Sequence, residues 1–378
     1  MNEQNNAKNR LDMQEMHGLF SRVCEYRKIR RITMKALFLA GGMGTRLKPL
    51  TDDIPKSMVP IMNKPLLERS MENLIRYGIR DIVLSLGYKS DYIQNYFGDG
   101  HKLGLNIEYV FESSPLGTGG AIRNSSHLYN DTFVVMNADI LCDINIAELI
   151  GYHSSKSADV TIAVTKVSNP SDYGMIETDE NGYASAFTEK PEPEKVTTNY
   201  INAGIYVFEP HILDEIPSGE VVSIERDTFP SLLAKNMKIA VYKGGSYWID
   251  IGTPEKYLKA HEDIMSGKCL LAGVDFGNLN IVKSEDSYID GTAIINGPVF
   301  IGHDVQIGAH TIIGPYAVIG DNANILHDGS ITESILWDHV RIGSYGEVYG
   351  SVVTSDCHVK RRSVHHDMAF TKTASVAW

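Results

Sequence analysis

Residues 289–331 decide the fold of the C-terminal part of the chain; they read IDGTAIINGPVFIGHDVQIGAHTIIGPYAVIGDNANILHDGSI. Isoleucine returns at every sixth position of this stretch, from Ile289 to Ile331, and glycine follows it at several of these positions, including Gly302 and Gly308. An α-helix repeats every 3.6 residues and a strand every two, so neither gives this period. The repeat predicts a left-handed parallel β-helix, in which each six-residue step forms one flat face and the isoleucines stack inside.

The register of this repeat slips near Leu336 and Trp337 and resumes at Ile342 and Val348. We predict a β-helix domain with its tail over residues 269–378. Hexapeptide β-helices also serve acyltransferases, which use a histidine between coils. The histidines available for such chemistry are His303, His310, His327, His365 and His366. Because no long loop interrupts the repeat, we interpret the β-helix as an assembly surface through which the chain forms a homo-oligomer.

Residues 34–166 follow a different pattern, in which strands alternate with helices. The predicted strands are 35–39, 81–86, 107–111, 132–136 and 159–167, and the predicted helices are 66–77, 91–96, 119–128 and 146–154. This alternation is typical of a Rossmann-like α/β fold, with a mixed, mostly parallel sheet and helices on both faces. Ligands of such sheets bind outside the carboxyl ends of the strands.

From residue 173 onward the predicted elements become shorter and the links between them more charged. The predicted strands are 173–177, 183–187, 203–208, 238–242 and 247–249, and the predicted helices are 224–234 and 254–266. We interpret this half as a lid or substrate-side addition to the same sheet. The catalytic domain is therefore predicted to span residues 34–268.

Residues 1–33 form a predicted N-terminal extension that is rich in Asn and Gln and then basic. It lacks the apolar core of a signal peptide, so we do not interpret it as an export signal. Five apolar residues, Leu11, Met16, Leu19, Phe20 and Val23, could share one face of an amphipathic helix. We expect the extension to be flexible or helical, and its role stays open.

The composition limits the classes of function. Apolar residues make up 43% of the 378 residues and charged residues 22%, which is ordinary for a globular protein. A net charge of −12 argues against a nucleic-acid partner, because nucleic-acid-binding domains usually carry a basic face. No apolar run approaches the roughly 20 residues of a membrane span. The cysteines Cys24, Cys142, Cys269 and Cys357 lie far apart, which indicates reduced thiols in a cytoplasmic protein.

Residues 34–60, MKALFLAGGMGTRLKPLTDDIPKSMVP, combine a buried strand with a glycine-dense loop. Glycines after a strand let backbone N–H groups approach an anion closely, because no Cβ stands in the way. Arg46 and Lys56 add two cations beside the loop. The combination predicts a polyphosphate site.

Two common phosphate-binding loops are excluded at this position. The dinucleotide fingerprint G-x-G-x-x-G fails, because Leu47 stands where the third glycine belongs. The P-loop pattern G-x-x-x-x-G-K-[ST] does not occur in the chain. The phosphates must therefore be held by a loop of another kind.

Two aspartates follow apolar strands. Asp139 comes after residues 134–136, and Asp250 after residues 247–249. Acidic groups at the carboxyl ends of strands face the ligand crevice, and two of them can hold one Mg²⁺ together with waters and phosphate oxygens. Alternatively each aspartate caps the next helix. Thr253, directly before Pro254, is a better cap for the second helix.

Seven motifs in order carry a resemblance to a known family. They are AGGMGTRLKPLT at 40–51, PKSMVP at 55–60, LGTGGAI at 116–122, VMNADIL at 135–141, FTEKP at 187–191, NAGIYVF at 202–208 and WIDIGTP at 248–254. This set resembles the sugar-nucleotide pyrophosphorylases, which are nucleotidyltransferases. With the hexapeptide tail, the chain is most similar to the mannose-1-phosphate guanylyltransferases, from residue 34 to its C-terminus.

The resemblance implies a reaction and its residues. An oxygen of a sugar 1-phosphate attacks the α-phosphate of a nucleoside triphosphate and releases pyrophosphate. The implied nucleotide-binding residues are Leu39, Ala40, Gly41, Gly42, Gly44, Thr45, Arg46, Gly87, Leu116, Gly117 and Thr118. The implied sugar-phosphate-binding residues are Tyr173, Gly174, Glu189, Lys190 and Asn202. The implied catalytic residues are Arg46, Lys56, Asp139 and Asp250, of which the two aspartates hold Mg²⁺ as the cofactor.

The identity of the base and of the sugar rests on finer features. Thymidylyl-specific members carry a Gly-Leu-Ala turn where this chain has residues 116–120, LGTGG, and residues 223–230 also resemble the guanylyl group. We therefore expect GTP and mannose 1-phosphate, with GDP-mannose as the product. The alternatives are a glucose-1-phosphate transferase for another base and a heptose-1-phosphate guanylyltransferase. A non-catalytic sugar-nucleotide-binding relative is disfavoured, because Arg46, Lys56, Asp139 and Asp250 are all present.

Overall fold

The computed structural model describes residues 34–245, 247–277 and 280–378, so the predicted extension over residues 1–33 lies outside the described residues. The α-helices are α1 (Leu66–Arg76), α2 (Ser90–Phe97), α3 (Gly117–Asn124), α4 (Ile146–Lys156), α5 (Phe229–Ala234) and α6 (Pro254–Met265). A π-helical turn covers Ile224–Thr228, and 3₁₀ turns cover Thr45–Leu47, Lys56–Met58, His101–Leu103, Ser126–Leu128, Pro170–Asp172, Pro193–Lys195 and Pro210–Glu215. In the part of the chain that the structure describes, no helix has the length and apolar character needed to cross a membrane.

The N-terminal part of the described chain is built on one twisted sheet. Its strands and two small side pairs are β1 (Lys35–Leu39), β2 (Pro60–Ile61), β3 (Lys64–Pro65), β4 (Asp81–Leu86), β5 (Asn106–Phe111), β6 (Phe133–Asn137), β7 (Ile140–Cys142), β8 (Val160–Lys166), β9 (Gly174–Thr178), β10 (Ala184–Glu189), β11 (Tyr200–Phe208), β12 (Ile239–Tyr242) and β13 (Trp248–Asp250). The sheet order is β10-β9-β11-β6-β1-β4-β5, with β8 between β11 and β12. Strands β6, β1, β4 and β5 run parallel, whereas β11 runs antiparallel to β6 and β8.

Helices cover both faces of this sheet, which confirms the predicted fold class. Alternate residues of β1 point to opposite faces: Ala36 and Phe38 join one buried cluster, and Leu37 joins another. Helices α1, α2 and α4 contribute to the first cluster, and α3 and α5 contribute to the second. The sheet is therefore buried on both sides, as a parallel sheet requires.

The structure departs from the predicted elements in three places. The predicted helix 119–128 starts earlier, at Gly117, and its α-helical part ends at Asn124, after which a 3₁₀ turn covers Ser126–Leu128. The predicted helix 224–234 begins as a π-helical turn. The predicted substrate-side addition is also not peripheral, since β11 lies in the middle of the sheet and contributes to both buried clusters.

The C-terminal part forms the predicted parallel β-helix. Its strands are β14 (Ile281–Lys283), β15 (Tyr288–Ile289), β16 (Ile294–Ile295), β17 (Val299–Ile301), β18 (Gln306–Ile307), β19 (Ile312–Ile313), β20 (Ala317–Ile319), β21 (Asn324–Ile325), β22 (Ser330–Thr332), β23 (Ile335–Leu336), β24 (Arg341–Ile342), β25 (Glu347–Tyr349), β26 (Val352–Val353), β27 (His358–Val359), β28 (Val364–His366), β29 (Met368–Phe370) and β30 (Ser375–Ala377). Ile307 lies beside Ile289, and Ile325 beside Ile307, so the predicted isoleucine stack is confirmed. The next coil is one residue shorter, because Ile342 rather than Gly343 pairs with Ile325.

A third buried cluster joins the β-helix to the segment that follows the glycine loop. It contains Leu47 and Leu50 from that segment, Tyr257 from α6, and Val318 and Trp337 from the β-helix. Because Met265 and Cys269 both belong to this cluster as well, apolar packing continues across residue 268. The predicted domain division at that residue stays a prediction.

Two hydrogen bonds cross this interface at one side chain. The hydroxyl of Tyr257 donates to the carbonyl of Pro60 at 2.5 Å, and Trp337 Nε1 donates to the same hydroxyl at 3.0 Å. Tyr257 is fully buried, and burial raises its pKa above the usual range, so the phenol stays neutral and keeps its proton for Pro60. This residue therefore links α6, the loop segment and the β-helix.

Replacing Tyr257 by Phe should destabilise the chain, because Trp337 Nε1 and the Pro60 carbonyl would lose a buried partner. An unsatisfied buried polar group costs about 1–3 kcal/mol, so the melting temperature should fall measurably. The control is Tyr288→Phe, which removes a hydroxyl from a side chain that is 63% exposed. Equal melting temperatures for the two variants would contradict the role given to Tyr257.

Candidate active site

The carboxyl ends of the parallel strands meet at one edge of the sheet. The glycine loop follows β1, Glu112 follows β5 and Asp139 follows β6. Backbone hydrogen bonds fix this edge: Ala40 N–H donates to Ser85 O, and Glu112 N–H donates to Leu86 O, both at 2.9 Å. Residues far apart in sequence are thereby brought to one crevice, as the strand-end rule predicts.

A first cavity of about 300 Å³ opens at this edge. The predicted nucleotide-binding residues that line it are Leu39, Ala40, Gly41, Gly42, Gly117 and Thr118, together with the predicted catalytic residues Lys56 and Asp139. The cavity is thus bounded by the glycine loop on one side and by the start of α3 on the other.

The remaining predicted nucleotide-binding residues lie outside the lining of the first cavity. Gly44 shapes the loop: its φ of 63° is left-handed, and a Cβ there would lie 2.8 Å from Lys56 Cβ. Thr45 begins the 3₁₀ turn after the loop, and Gly87 packs behind Gly41. The Leu116 backbone N–H donates to Glu112 Oε2 at 3.0 Å. Arg46 lines a neighbouring cavity instead.

This second cavity, of about 390 Å³, adjoins the first. Every predicted sugar-phosphate-binding residue lines it: Tyr173, Gly174, Glu189, Lys190 and Asn202. It is also lined by Arg46 and Asp250, and it shares Asn137 and Asp139 with the first cavity. Asp139 therefore lies at the junction of the two.

Lysines neutralise both predicted metal-binding carboxylates. Lys56 Nζ lies 2.5 Å from Asp139 Oδ2. Lys256 Nζ contacts Asp250 Oδ1, which also accepts a 2.8 Å hydrogen bond from the hydroxyl of Tyr173. Burial lowers the pKa of Lys256, but the hydrogen bonds to Asp250 and Tyr173 outweigh burial and raise it above the ordinary value. The ammonium group is therefore charged at neutral pH.

The donor set fits a hard divalent cation. Ile251 N–H donates to Asp139 O at 2.9 Å, so the backbones that carry the two aspartates are adjacent, and both residues line the second cavity. Within the described residues no cluster of three or more His, Cys, Asp or Glu could hold a metal by itself. Mg²⁺ is usually bound by one or two carboxylates plus substrate phosphates, which is the arrangement available here.

The capping alternative for the two aspartates is wrong for the described helices. Asn145 caps α4, since its side chain accepts the N–H of Glu148 at 3.2 Å. Thr253 caps α6 by accepting the N–H of Lys256 at 3.4 Å. Both carboxylates are therefore free of backbone capping.

Two carboxylates face the sugar side of the second cavity. Burial, and then repulsion by Glu225, raise the pKa of Glu189 above its usual range. Glu225 Oε2 accepts hydrogen bonds from Thr118 Oγ1 at 2.9 Å and from Ser223 Oγ at 2.8 Å. Thr118 lines the first cavity and Glu225 lines the second, so the hydrogen bond between them joins the walls of the two cavities.

Glu112 is held on the wall of the first cavity. Its two oxygens accept hydrogen bonds from Ser85 Oγ at 3.2 Å and from Leu116 N–H at 3.0 Å. An ionised carboxylate has about four acceptor positions, so others remain available. A Cβ at Gly41 would lie 2.8 Å from Glu112 Oε1, so a larger residue there would displace this carboxylate oxygen.

Sequence reasoning missed Glu112, Glu225 and Lys256. Glu112 directly follows β5, so the rule that singled out Asp139 could also have found it. Glu225 lies in a π-helical turn and Lys256 in the first turn of α6, and charged residues at such positions are ordinarily solvated surface. No sequence signal distinguished them.

Histidines of the β-helix contact residues of the same coil or of a neighbouring coil. His303 Nδ1 is 2.9 Å from Asp286 Oδ2, and His327 is hydrogen-bonded to Asp328 and to Ser344. None of the histidines considered for acyl transfer, which are His303, His310, His327, His365 and His366, lines either cavity.

The chain matches two protein-family models. Residues 35–267 match the model described as nucleotidyl transferase, and residues 295–374 match the one described as GMPPB C-terminal domain. These matches cover both the sheet with its two cavities and most of the β-helix. They confirm the resemblance that the motifs carry.

Curated relatives and a solved structure are similar to about three fifths of this chain. A mannose-1-phosphate guanylyltransferase of Mycobacterium tuberculosis is 44% identical over 61% of this chain and 65% of its own length. A mannose-1-phosphate guanylyltransferase catalytic subunit beta of Dictyostelium discoideum is 40% identical over 60% of this chain and 63% of its own length. The chain thus matches less than two thirds of the length of either relative. HddC from Yersinia pseudotuberculosis, complexed with GMP-PN, is 35% identical, with a TM-score of 0.53 over 61% of this chain and 99% of HddC.

Replacing Gly117 by Ala should destabilise the wall of the first cavity. Gly117 has a left-handed φ of 72°, and a Cβ there would lie 2.5 Å from the carbonyl oxygen of Val222, which accepts the N–H groups of Gly119 and Gly120. Left-handed backbone costs about 1–2 kcal/mol for a residue with Cβ, before the clash is counted. Chemical denaturation measures the loss.

Gly151→Ala is the matched control for this substitution. Gly151 lies inside α4, and nothing stands within 4 Å of its added Cβ. That variant should gain about 0.5–1 kcal/mol. Similar unfolding free energies for the two variants would refute the strain assigned to Gly117.

Proposed function

This chain belongs to the nucleotidyl transferase family, and on that premise we propose that it joins GTP to mannose 1-phosphate, forming GDP-mannose and releasing pyrophosphate. The observation that carries the proposal is the pair of adjoining cavities that share Asp139, one lined by the glycine loop and the other by Lys190 and Glu189. Two substrates bound side by side would meet at this junction.

The reaction needs positioning and charge neutralisation. An oxygen of the sugar 1-phosphate attacks the α-phosphorus, a new P–O bond forms, and the bond to the pyrophosphate oxygen breaks. A phosphate monoester is already nucleophilic, so no covalent intermediate or general base is required. Arg46 and Lys56 neutralise negative charge on the α-phosphate and on the departing pyrophosphate. The backbone of Gly41 and Gly42 permits close approach of the triphosphate.

Asp139 and Asp250 are the residues that would hold Mg²⁺. When bound, the cation would neutralise phosphate charge and fix phosphate oxygens in place. The support for this assignment is the adjacency of the two aspartates at one cavity.

The sugar side offers a cation for the phosphate and acceptors for hydroxyl groups. Lys190 supplies the cation, and Glu189 and Glu225 supply carboxylate oxygens. The side chain of Asn202 is already ordered, since it donates to the hydroxyl of Tyr206 at 2.7 Å and accepts the N–H of Gly204 at 2.9 Å. Mannose is preferred over glucose or a heptose because the relatives named above are mannose-1-phosphate guanylyltransferases.

Glu112 supports guanine as the base. Guanine presents two adjacent donors, N1–H and N2–H, on its Watson–Crick edge, and a carboxylate offers two acceptors to such a pair. Uracil and thymine present a donor between two acceptors, which a carboxylate matches poorly. The solved complex of HddC with GMP-PN agrees with a guanine nucleotide. A uridylyltransferase of Synechocystis, 35% identical, keeps UTP and glucose 1-phosphate as the alternative pair.

The remaining expectations concern the cellular location of the chain and its partners. We propose a cytoplasmic enzyme, supported by unpaired thiols at Cys142, Cys269 and Cys357. The β-helix is the proposed surface of homo-oligomer assembly. No nucleic-acid or membrane partner is proposed, in line with the net charge of −12.

A pyrophosphate-release screen tests the reaction and both substrates. GTP, ATP, UTP, CTP and dTTP are each paired with mannose, glucose and heptose 1-phosphates in the presence of Mg²⁺. GTP with mannose 1-phosphate should give the highest kcat/KM, and Asp139→Ala serves as the inactive control. A different best pair would overturn the substrate assignment, and no release with any pair would overturn the catalytic one.

The variant Glu112→Gln tests the proposal that Glu112 recognises guanine. The loss of one charged hydrogen bond, about 1.5–3 kcal/mol, should lower kcat/KM for GTP roughly 10- to 150-fold. UTP should lose far less or gain, because an amide offers one donor and one acceptor to uracil. Glu108→Gln makes the same charge change on the exposed side of β5, where Glu108 pairs with Lys35, and should leave both values unchanged. Equal losses for GTP and UTP would mean that Glu112 only orders the loop.

A further inference from the structure

Lys256 is the one cation of the second cavity that sequence reasoning did not identify. It lies in the first turn of α6, where the cap from Thr253 fixes its backbone. Its ammonium contacts Asp250 Oδ1 and donates to the hydroxyl of Tyr173 at 2.6 Å. The same ammonium lies 5.1 Å from the centre of the Tyr173 ring. Both members of the ion pair are partly shielded, with side-chain exposures of 34% for Lys256 and 14% for Asp250.

The ammonium of Lys256 occupies one oxygen of the carboxylate that a divalent cation would need. Asp250 Oδ1 accepts hydrogen bonds from Lys256 and from Tyr173 together. An ammonium ion and Mg²⁺ are both hard cations that compete for carboxylate oxygens, and their mutual repulsion across one carboxylate is strong at partial burial. Asp250 Oδ2 makes neither of these bonds, but a metal held by this carboxylate would lie close to the ammonium and be repelled by it, so departure of Lys256 favours close binding of the metal at Asp250.

The sugar 1-phosphate supplies an alternative partner for this lysine. Its phosphate carries a charge of about −1.5 to −2 at neutral pH and three acceptor oxygens, as other phosphate monoesters do. Lys256 lines the same cavity as Lys190, the cation proposed for this phosphate. The long side chain can swing between the carboxylate and the phosphate without movement of α6, because its flexible stem has four carbons.

We propose that Lys256 is a further phosphate-binding residue, which leaves Asp250 when the sugar 1-phosphate binds and thereby frees this carboxylate for the divalent cation. The inference rests on the proposed function, because it takes the sugar 1-phosphate as the anion. Thermodynamic reciprocity follows: the sugar phosphate tightens metal binding, and the metal tightens sugar-phosphate binding by the same factor.

The test measures Mn²⁺ binding to the full chain by electron paramagnetic resonance of free Mn²⁺, with and without mannose 1-phosphate and without any nucleotide. In the wild type, mannose 1-phosphate should lower the Kd for Mn²⁺ by a factor in the usual range for coupled sites, about 5- to 150-fold. In Lys256→Met, Mn²⁺ alone should bind about 10-fold tighter than in the wild type, and the effect of mannose 1-phosphate on the Kd for Mn²⁺ should be smaller than in the wild type. Lys256→Arg retains the cation and should retain the coupling.

Lys259→Met is the matched control. Lys259 lies in the same helix and pairs with Glu262 and Asp263, away from both cavities. It removes the same charge and should behave as the wild type in both Mn²⁺ measurements. Weaker or unchanged Mn²⁺ binding in Lys256→Met, relative to Lys259→Met, would overturn the proposal, and so would full coupling in Lys256→Met.

Failure of the proposed function would appear elsewhere. It would show as absence of pyrophosphate release by the wild type, a measurement that does not involve Lys256 variants. If the wild type releases pyrophosphate from mannose 1-phosphate but mannose 1-phosphate leaves its Mn²⁺ affinity unchanged, the reaction stands and the role given to Lys256 is overturned.

Discussion

Parallel pairing of β1 with β4 and β6 is the constraint on which the rest of the structure depends. Parallel strands need crossover helices, and those helices bury both faces of the sheet, so only its strand ends remain open to ligands. The glycine loop, Glu112 and Asp139 follow β1, β5 and β6 and must therefore meet at one edge. The chemistry is concentrated there because the carboxyl ends of the parallel strands bring these polar side chains together.

The β-helix stabilises this edge by packing against the segment that follows the glycine loop. The third buried cluster places β-helix residues such as Trp337 against Leu47 and Leu50, which directly follow the glycine loop. Tyr257 fixes α6 to the same cluster, and α6 begins just after Asp250. Two walls of the site, the glycine loop and the strand that carries Asp250, are therefore supported by one apolar interface. This arrangement gives the β-helix a structural role in the site, in addition to any role in assembly.

Four cations converge on the site, among the carboxylates that also line it. Arg46, Lys56, Lys190 and Lys256 converge on the second cavity and its junction with the first, within a chain of net charge −12. Asp139 and Asp250 compensate two of these cations through direct ion pairs. Cations and carboxylates that neutralise each other in the free protein are the groups that anionic substrates and a divalent cation would separate and bind. A negative global field is thus compatible with anionic substrates.

The sequence by itself determined the periodic features and the strand ends. The six-residue repeat specified the β-helix because only stacked isoleucines give that period, and alternation of strands and helices specified the sheet with its edge. The glycine loop, Asp139 and Asp250 were visible because strand ends project into a crevice. Only the tertiary structure decided that Glu225 would reach Thr118 and that Lys256 would reach Tyr173. These pairs join segments that are remote in sequence, and their contact depends on how the π-helical turn and α6 fold back over the sheet edge. Local periodicity does not predict such contacts between remote segments.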